Sequence, residues 1–140
     1  MKVKLLTKSP LKTKKFRITD AQTGKKVDFG AKGYSDYTVH KDPFRMREYV
    51  RRHGGKIPRG VWVSASPQNV QNAMLRVKKS AKESWTDPDT PGFWSRWLLW
   101  SFPDQKKAIK FIKNRFGITT VTTQLKRATA ELHGMSSGWY

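Results

Sequence analysis

Lys15-Phe16-Arg17-Ile18 alternates polar with apolar positions, and Lys26-Val27-Asp28-Phe29 does the same. The turn-forming stretch Asp20 to Gly24 lies between them, so the pattern predicts a short β-hairpin. Gly30 to His40 follows as a structured loop or a further irregular strand. From residue 42 the spacing becomes helical. Asp42-Pro43 supplies a capping carboxylate and a first-turn proline, and Gly54-Gly55 supplies the stop. Met46, Tyr49, Val50 and His53 share the apolar face of this helix, with Arg45, Arg47, Arg51 and Arg52 on the rest.

Val61-Trp62-Val63 reads as a short strand inside a loop. Ser66-Pro67 repeats the cap-then-proline signal, and Val70, Ala73, Met74, Val77 and Ala81 carry a helix as far as residue 81. Thr90-Pro91 opens a third helix, running to about Trp100, whose Phe93, Trp94, Trp97, Leu98 and Trp100 cover more than half of its circumference. A fourth helix ends at Phe116 and is closed by Gly117. Its stripe of Ala108, Ile109, Ile112 and Phe116 lies opposite Lys106, Lys107, Lys110 and Lys113. Ile118 to Thr122 is β-branched and reads as a strand, and Thr123 to His133 as a last helix. The expected fold is α+β: an N-terminal β-hairpin followed by four or so short amphipathic helices in one small domain with a basic N-terminal arm. The expected boundaries are an arm over 1–14, a domain over 15–133 and a tail over 134–140.

The 140 residues suit one domain, and 17 aromatics, six of them Trp, argue against wholesale disorder. No apolar run approaches the roughly 20 residues of a membrane helix, and no secretory signal is read behind the basic N-terminus. The absence of cysteine removes disulfides, cysteine-ligated zinc and a cysteine nucleophile together.

Charge changes the picture more. Lys and Arg number 29 against 10 Asp and Glu, a net charge of +19. The excess is uneven, +12 over residues 1–60, +1 over 61–90 and +6 over 91–140. Lys2, Lys4, Lys8, Lys12, Lys14, Lys15 and Arg17 precede the first acid in the chain. Such a run, with the helix residues Arg45, Arg51 and Arg52, points to an acidic partner: nucleic acid, an anionic membrane face or an acidic protein surface. Charge alone does not choose among them.

Little of the sequence supports catalysis. His40, His53 and His133 are far apart with no metal-ligand spacing. Asp87 and Asp89 flank Pro88 and read as a turn. Gly30-Ala31-Lys32-Gly33 lacks both the P-loop and the dinucleotide spacing. No metal or cofactor set is expected, and an enzyme acting on nucleic acid would have to rest on Asp28 and Asp36. The aromatic cluster has two readings. Aromatics beside Arg and Lys can stack on bases, but the three-residue period of Trp94, Trp97 and Trp100 is how a helix fills a core or a subunit interface. Phe93, Trp94, Trp97 and Trp100 are therefore assigned to core or interface.

Two blocks carry a family resemblance. One is Val27-Asp28-Phe29-Gly30-Ala31-Lys32-Gly33-Tyr34-Ser35-Asp36-Tyr37-Thr38-Val39-His40-Lys41-Asp42, followed by Arg45, Arg47, Tyr49 and Arg52-His53. The other is Trp85 with Gly92-Phe93-Trp94-Ser95-Arg96-Trp97-Leu98-Leu99-Trp100, closed by Ala108-Ile109, Ile112 and Phe116-Gly117-Ile118. Over about residues 15–118 these resemble a family of small basic proteins encoded by nucleocytoplasmic large DNA viruses of algae and amoebae. The chain departs from that pattern by a long insert, residues 54–84, and by its C-terminal extension.

The resemblance implies a virion component, assembled in the host cytoplasm, with no catalytic residues to carry over. The leading expectation is a minor capsid protein. It would cement major capsid subunits from the inner side of the shell, in many copies, touching the major capsid protein and other minor capsid proteins. Surface contact with a membrane is compatible with the charge. The alternative is a basic nucleic-acid-binding protein of genome packaging or replication.

Overall fold

Residues 2–62 and 65–122 are described by the computed structural model of the chain. Its first element is a strand. β1 (Lys2–Lys8), β2 (Lys14–Asp20), β3 (Lys26–Ala31) and β4 (Ile118–Thr122) form one mixed sheet in the order β3-β2-β1-β4. β1 runs antiparallel to β2, β2 antiparallel to β3, and β4 parallel to β1.

The α+β class holds, but the expected plan of an arm, a hairpin and four or so helices does not. The hairpin β2–β3 is half of a larger sheet, and residues 2–8 are an inner strand of it. The apolar alternation here runs against the fold, since Val3 is exposed while Lys4 and Leu6 are buried, and this together with the charge obscured the strand. Leu6 pairs with Ile18, and Ile18 with Val27, while Phe16 faces Phe29 across β2 and β3. These side chains share the face that the helices cover. Lys4 lies on the same face and is only 4% exposed; its Nζ donates to Asp20 Oδ2 at 2.9 Å.

Five α-helices are present among the described residues: α1 (Tyr37–His40), α2 (Pro43–Arg52), α3 (Pro67–Leu75), α4 (Pro91–Trp94) and α5 (Gln105–Phe116). Asp42 caps α2 by accepting from the Phe44 and Arg45 amides, Ser66 caps α3 through the Asn69 amide, and Asp104 caps α5 through the Lys106 amide. Arg59–Val61 is a 3₁₀ turn where a strand was expected, with Val63 outside the described residues. The expected helix Thr123–His133 and the tail 134–140 also lie outside them.

Two further differences share one cause. α3 stops at Leu75 instead of continuing to Ala81, and the third expected helix changes after Trp94 into a π-helical turn, Ser95–Leu99. The π turn carries Arg96 inward, where it is fully buried. Its guanidinium donates to the carbonyls of Met74, Val77 and Trp100, closing the C-terminal end of α3 from outside that helix. The plane lies over Trp97, with Cζ 4.4 Å from the ring centroid, and against Trp85 at 5.3 Å. Burial lowers the Arg96 pKa to about 9, which leaves it charged at neutral pH.

Around this guanidinium sits the core. Phe29, Met46, Val50, Val70, Met74, Phe93, Trp94, Trp97, Leu98 and Ile112 are completely buried. Each buried indole N–H has an acceptor: Trp85 donates to Glu83 Oε1, Trp94 to the Pro88 carbonyl and Trp97 to the Trp85 carbonyl, all at 2.7 Å.

Candidate functional site

Where α2, the start of α4, the π turn and the β3–α1 loop meet, the surface opens into a cleft of about 580 Å³. Its floor is a column of stacked rings. His53 lies on Tyr49 with 4.0 Å between centroids, and Tyr49 lies on Trp100 at 4.4 Å with the planes 4° apart. The His40 ring also meets Trp100, tilted, at 5.3 Å. The spacing explains the column: Tyr49 and His53 are four residues apart on α2, and the π turn ends by presenting Trp100 to them. Burial pushes the Tyr49 phenol above its ordinary pKa, with the Glu83 carboxylate acting in the same direction. Burial lowers that of His40.

Cations form the walls. Lys14, Lys15, Arg45 and Arg52 line the cleft, against the carboxylates of Asp36 and Glu83. Arg45 and Arg52 are seven residues apart, two turns of α2, and so fall on one line of the helix. Lys15 Nζ donates to Asp36 Oδ2 at 2.8 Å, and Glu83 Oε1 lies 3.5 Å from His53 Nδ1. Lys14, Arg45 and Arg52 form no direct ion pair among the described residues, although Lys14 feels Asp28 and Arg52 feels Glu48 at longer range. Four cations against two carboxylates leave the concavity with an excess of positive charge, which favours an anion.

The loop that forms the outer wall depends on Gly30. Its φ is +80°, and a Cβ there would stand 3.0 Å from Leu99 Cδ1 and 3.2 Å from Lys15 Cβ. β3 can thus bend over the π turn only with glycine at this position. Tyr34 follows on the rim and is 74% exposed.

The residues singled out from the sequence divide into four groups. Lys14, Lys15, Arg45, Arg52 and Trp100 come together in the cleft. Lys4, Arg17 and Arg51 are held elsewhere by Asp20, Asp28 and Glu48, each at 2.9 Å. Lys2, Lys8 and Lys12 are exposed and distributed along β1 and the β1–β2 turn. Phe93, Trp94 and Trp97 are completely buried, so the Trp-rich stretch offers no free face at these positions. Asp28 is occupied by Arg17 and Ser9, and Asp36 by Lys15 and the Thr38 amide. Among the described residues no cluster of three metal-ligating side chains occurs, and no helix is long and apolar enough to cross a membrane.

Tyr34, Glu83 and Arg96 were not assigned roles from the sequence. A lone cation within the apolar run Phe93–Trp100 was the available signal for Arg96, because such a helix leaves it no solvent face. The loop residues carried no periodic signal.

Residues 4–53 are similar to DUF5754, a family of unknown function. That match runs from within β1 to just past the end of α2 and includes all four Lys and Arg residues that line the cleft, with Tyr34, Tyr49 and His53. No curated protein and no solved structure matches the chain.

Proposed function

We propose that this protein binds nucleic acid through the cleft between α2, the π turn and the β3–α1 loop, and that its role is binding, not catalysis. The observation that carries the reading is the convergence of Lys14, Arg45 and Arg52, none of them in a direct ion pair, on one concavity. A chain of net charge +19 supplies the wider field that draws a polyanion to it. The engagement of Asp28 and Asp36 in internal ion pairs supports a non-catalytic role. The family resemblance read from the sequence supports a viral setting, with genome packaging or replication as the process served.

Binding of a labelled oligonucleotide, followed by anisotropy across a salt series, tests this. Affinity should fall log-linearly with salt. Arg45→Ala with Arg52→Ala should reduce the slope by about 1–1.5, since each lost phosphate contact removes roughly 0.7 on a single strand. An unchanged slope and affinity in the double variant would remove the cleft from the reading.

A second reading, a minor capsid protein on the inner face of the shell, is favoured by a separate surface feature. Arg47 lies between the partly exposed rings of Phe44 and Trp62, with Cζ 5.2 Å and 4.6 Å from their centroids. Aromatic residues with Arg are enriched in protein interfaces. The basic N-terminal segment and the Trp-rich stretch do not add to it, since β1 lies inside the sheet and Phe93, Trp94 and Trp97 are buried. Cross-linking mass spectrometry on intact particles distinguishes the readings by whether Lys partners are capsid subunits in DNA-free shells.

A further inference from the structure

We infer that the cleft takes an unpaired strand, with Tyr34 stacking on one base while Arg45, Arg52 and Lys14 hold the neighbouring phosphates. This rests on the nucleic-acid reading above and adds the form of the ligand. Four aromatic side chains line the cleft: Tyr34, Tyr49, His53 and Trp100. Tyr49 is covered on one face by His53 and on the other by Trp100, Trp100 also meets His40 at a tilt, and His53 is stacked by one face only, its side chain 42% exposed. Tyr49 and Trp100 are thus committed to the floor, and His53 is held against it by one face. Tyr34 differs, being 74% exposed and, among the described residues, in contact with no other aromatic ring.

Its backbone is held while its ring is free. The Tyr34 amide donates to the Ala31 carbonyl at 3.3 Å, and Asp36 two residues later is pinned by Lys15 and by the Thr38 amide. The ring therefore stands on a fixed turn beside three cations that form no direct ion pair. A stacking platform of one open aromatic next to a basic groove is how single strands are bound without sequence preference.

Size and access select the unpaired form. A cleft of about 580 Å³ lies within the roughly 300–1,000 Å³ of sites that enclose small molecules. It can receive a nucleotide unit, whereas a duplex keeps its bases stacked and paired and shows only their edges in the grooves. A duplex could rest its phosphates on the cleft mouth but could not place a base on Tyr34.

The experiment uses the full chain, a labelled twelve-nucleotide oligo-dT, the same length with abasic sites throughout, and a blunt duplex, at one salt concentration. The intact single strand should bind at least about tenfold more tightly than the duplex or the abasic strand. Tyr34→Ala should lower single-strand affinity by about 5- to 100-fold with its salt slope kept, because stacking is lost and phosphate contacts are not. Tyr34→Phe should bind like the parent. As Tyr34 is exposed, circular dichroism should show both variants folded. Equal binding of duplex and single strand, equal binding of the abasic strand, or an unaffected Tyr34→Ala would each overturn the inference and leave the nucleic-acid reading standing. Binding of none of the three probes would overturn that reading itself.

Discussion

The Tyr49 and Trp100 rings lie face to face, with 4.4 Å between centroids and 4° between planes. This contact joins α2 to the end of the π turn, so it ties the element carrying Arg45 and Arg52 to the element that carries the buried Arg96. The cleft floor and the core are thus one piece of packing. Aromatic pairs contribute about 0.5–1.5 kcal/mol beyond the area they bury. A double-mutant cycle with Tyr49→Leu and Trp100→Leu should return a coupling in that range. Urea denaturation followed by circular dichroism measures it, and a coupling near zero would mean that the two elements are held together by other contacts.

Removing the Arg96 guanidinium should be among the most damaging single changes. Arg96→Met keeps the volume but strips donors from the carbonyls of Met74, Val77 and Trp100. Each buried carbonyl left without its donor costs about 1–3 kcal/mol, and a total loss of unfolding free energy below about 1 kcal/mol by urea denaturation would contradict the role assigned to it. Arg96→Lys should recover only part, since an ammonium cannot reproduce the planar fork or its stacking on Trp97.

Gly30→Ala should cost about 1–3 kcal/mol, because the backbone is in the left-handed region and the new Cβ meets Leu99 and Lys15. Thermal unfolding checks this. Gly24→Ala, also at positive φ but with open space around it, should show the backbone part of the cost alone.

Stability should fall with acid in two stages. Burial depresses the His40 pKa, so the unfolded chain takes up a proton before the folded one, and stability is lost as pH drops below about 6.5. Lys4 and the Thr23 and Gln22 amides hold Asp20 far below the usual carboxylate range, and Arg17 with Ser9 lowers Asp28. Their contributions are fully present above about pH 4 and disappear as pH falls through the folded values. Melting temperatures measured from pH 7 to pH 2 should show both limbs. Asp20→Asn should flatten the lower one, and His40→Asn the upper.

Local signals in the sequence were readable where one residue decides the geometry. Asp42-Pro43 starts α2, Ser66-Pro67 starts α3, and Gly117, at φ +71°, ends α5. Signals that depend on a distant partner were not. Lys4 looks solvated until Asp20 is placed beside it by strand pairing, and this concealed β1. α3 was read six residues too long because its apolar spacing continues to Ala81, while the group that closes its end, Arg96, lies 21 residues beyond Leu75. The site shows the same division. Arg45 and Arg52 share a line on a helix readable from residue numbers alone, whereas Lys14, Tyr34 and Trp100 join them only through the tertiary fold. Arg51, grouped with them from the sequence, turns aside to Glu48.

The most direct test of the central claim is a residue-level map of the bound oligonucleotide. Amide and indole chemical shifts of the isotope-labelled full chain would be followed while oligo-dT is added. The account predicts that the largest changes fall on Gly33 to Asp36, on Arg45 and Arg52, and on the Trp100 indole. Changes confined to the exposed lysines of α5, with the cleft resonances unmoved, would contradict it.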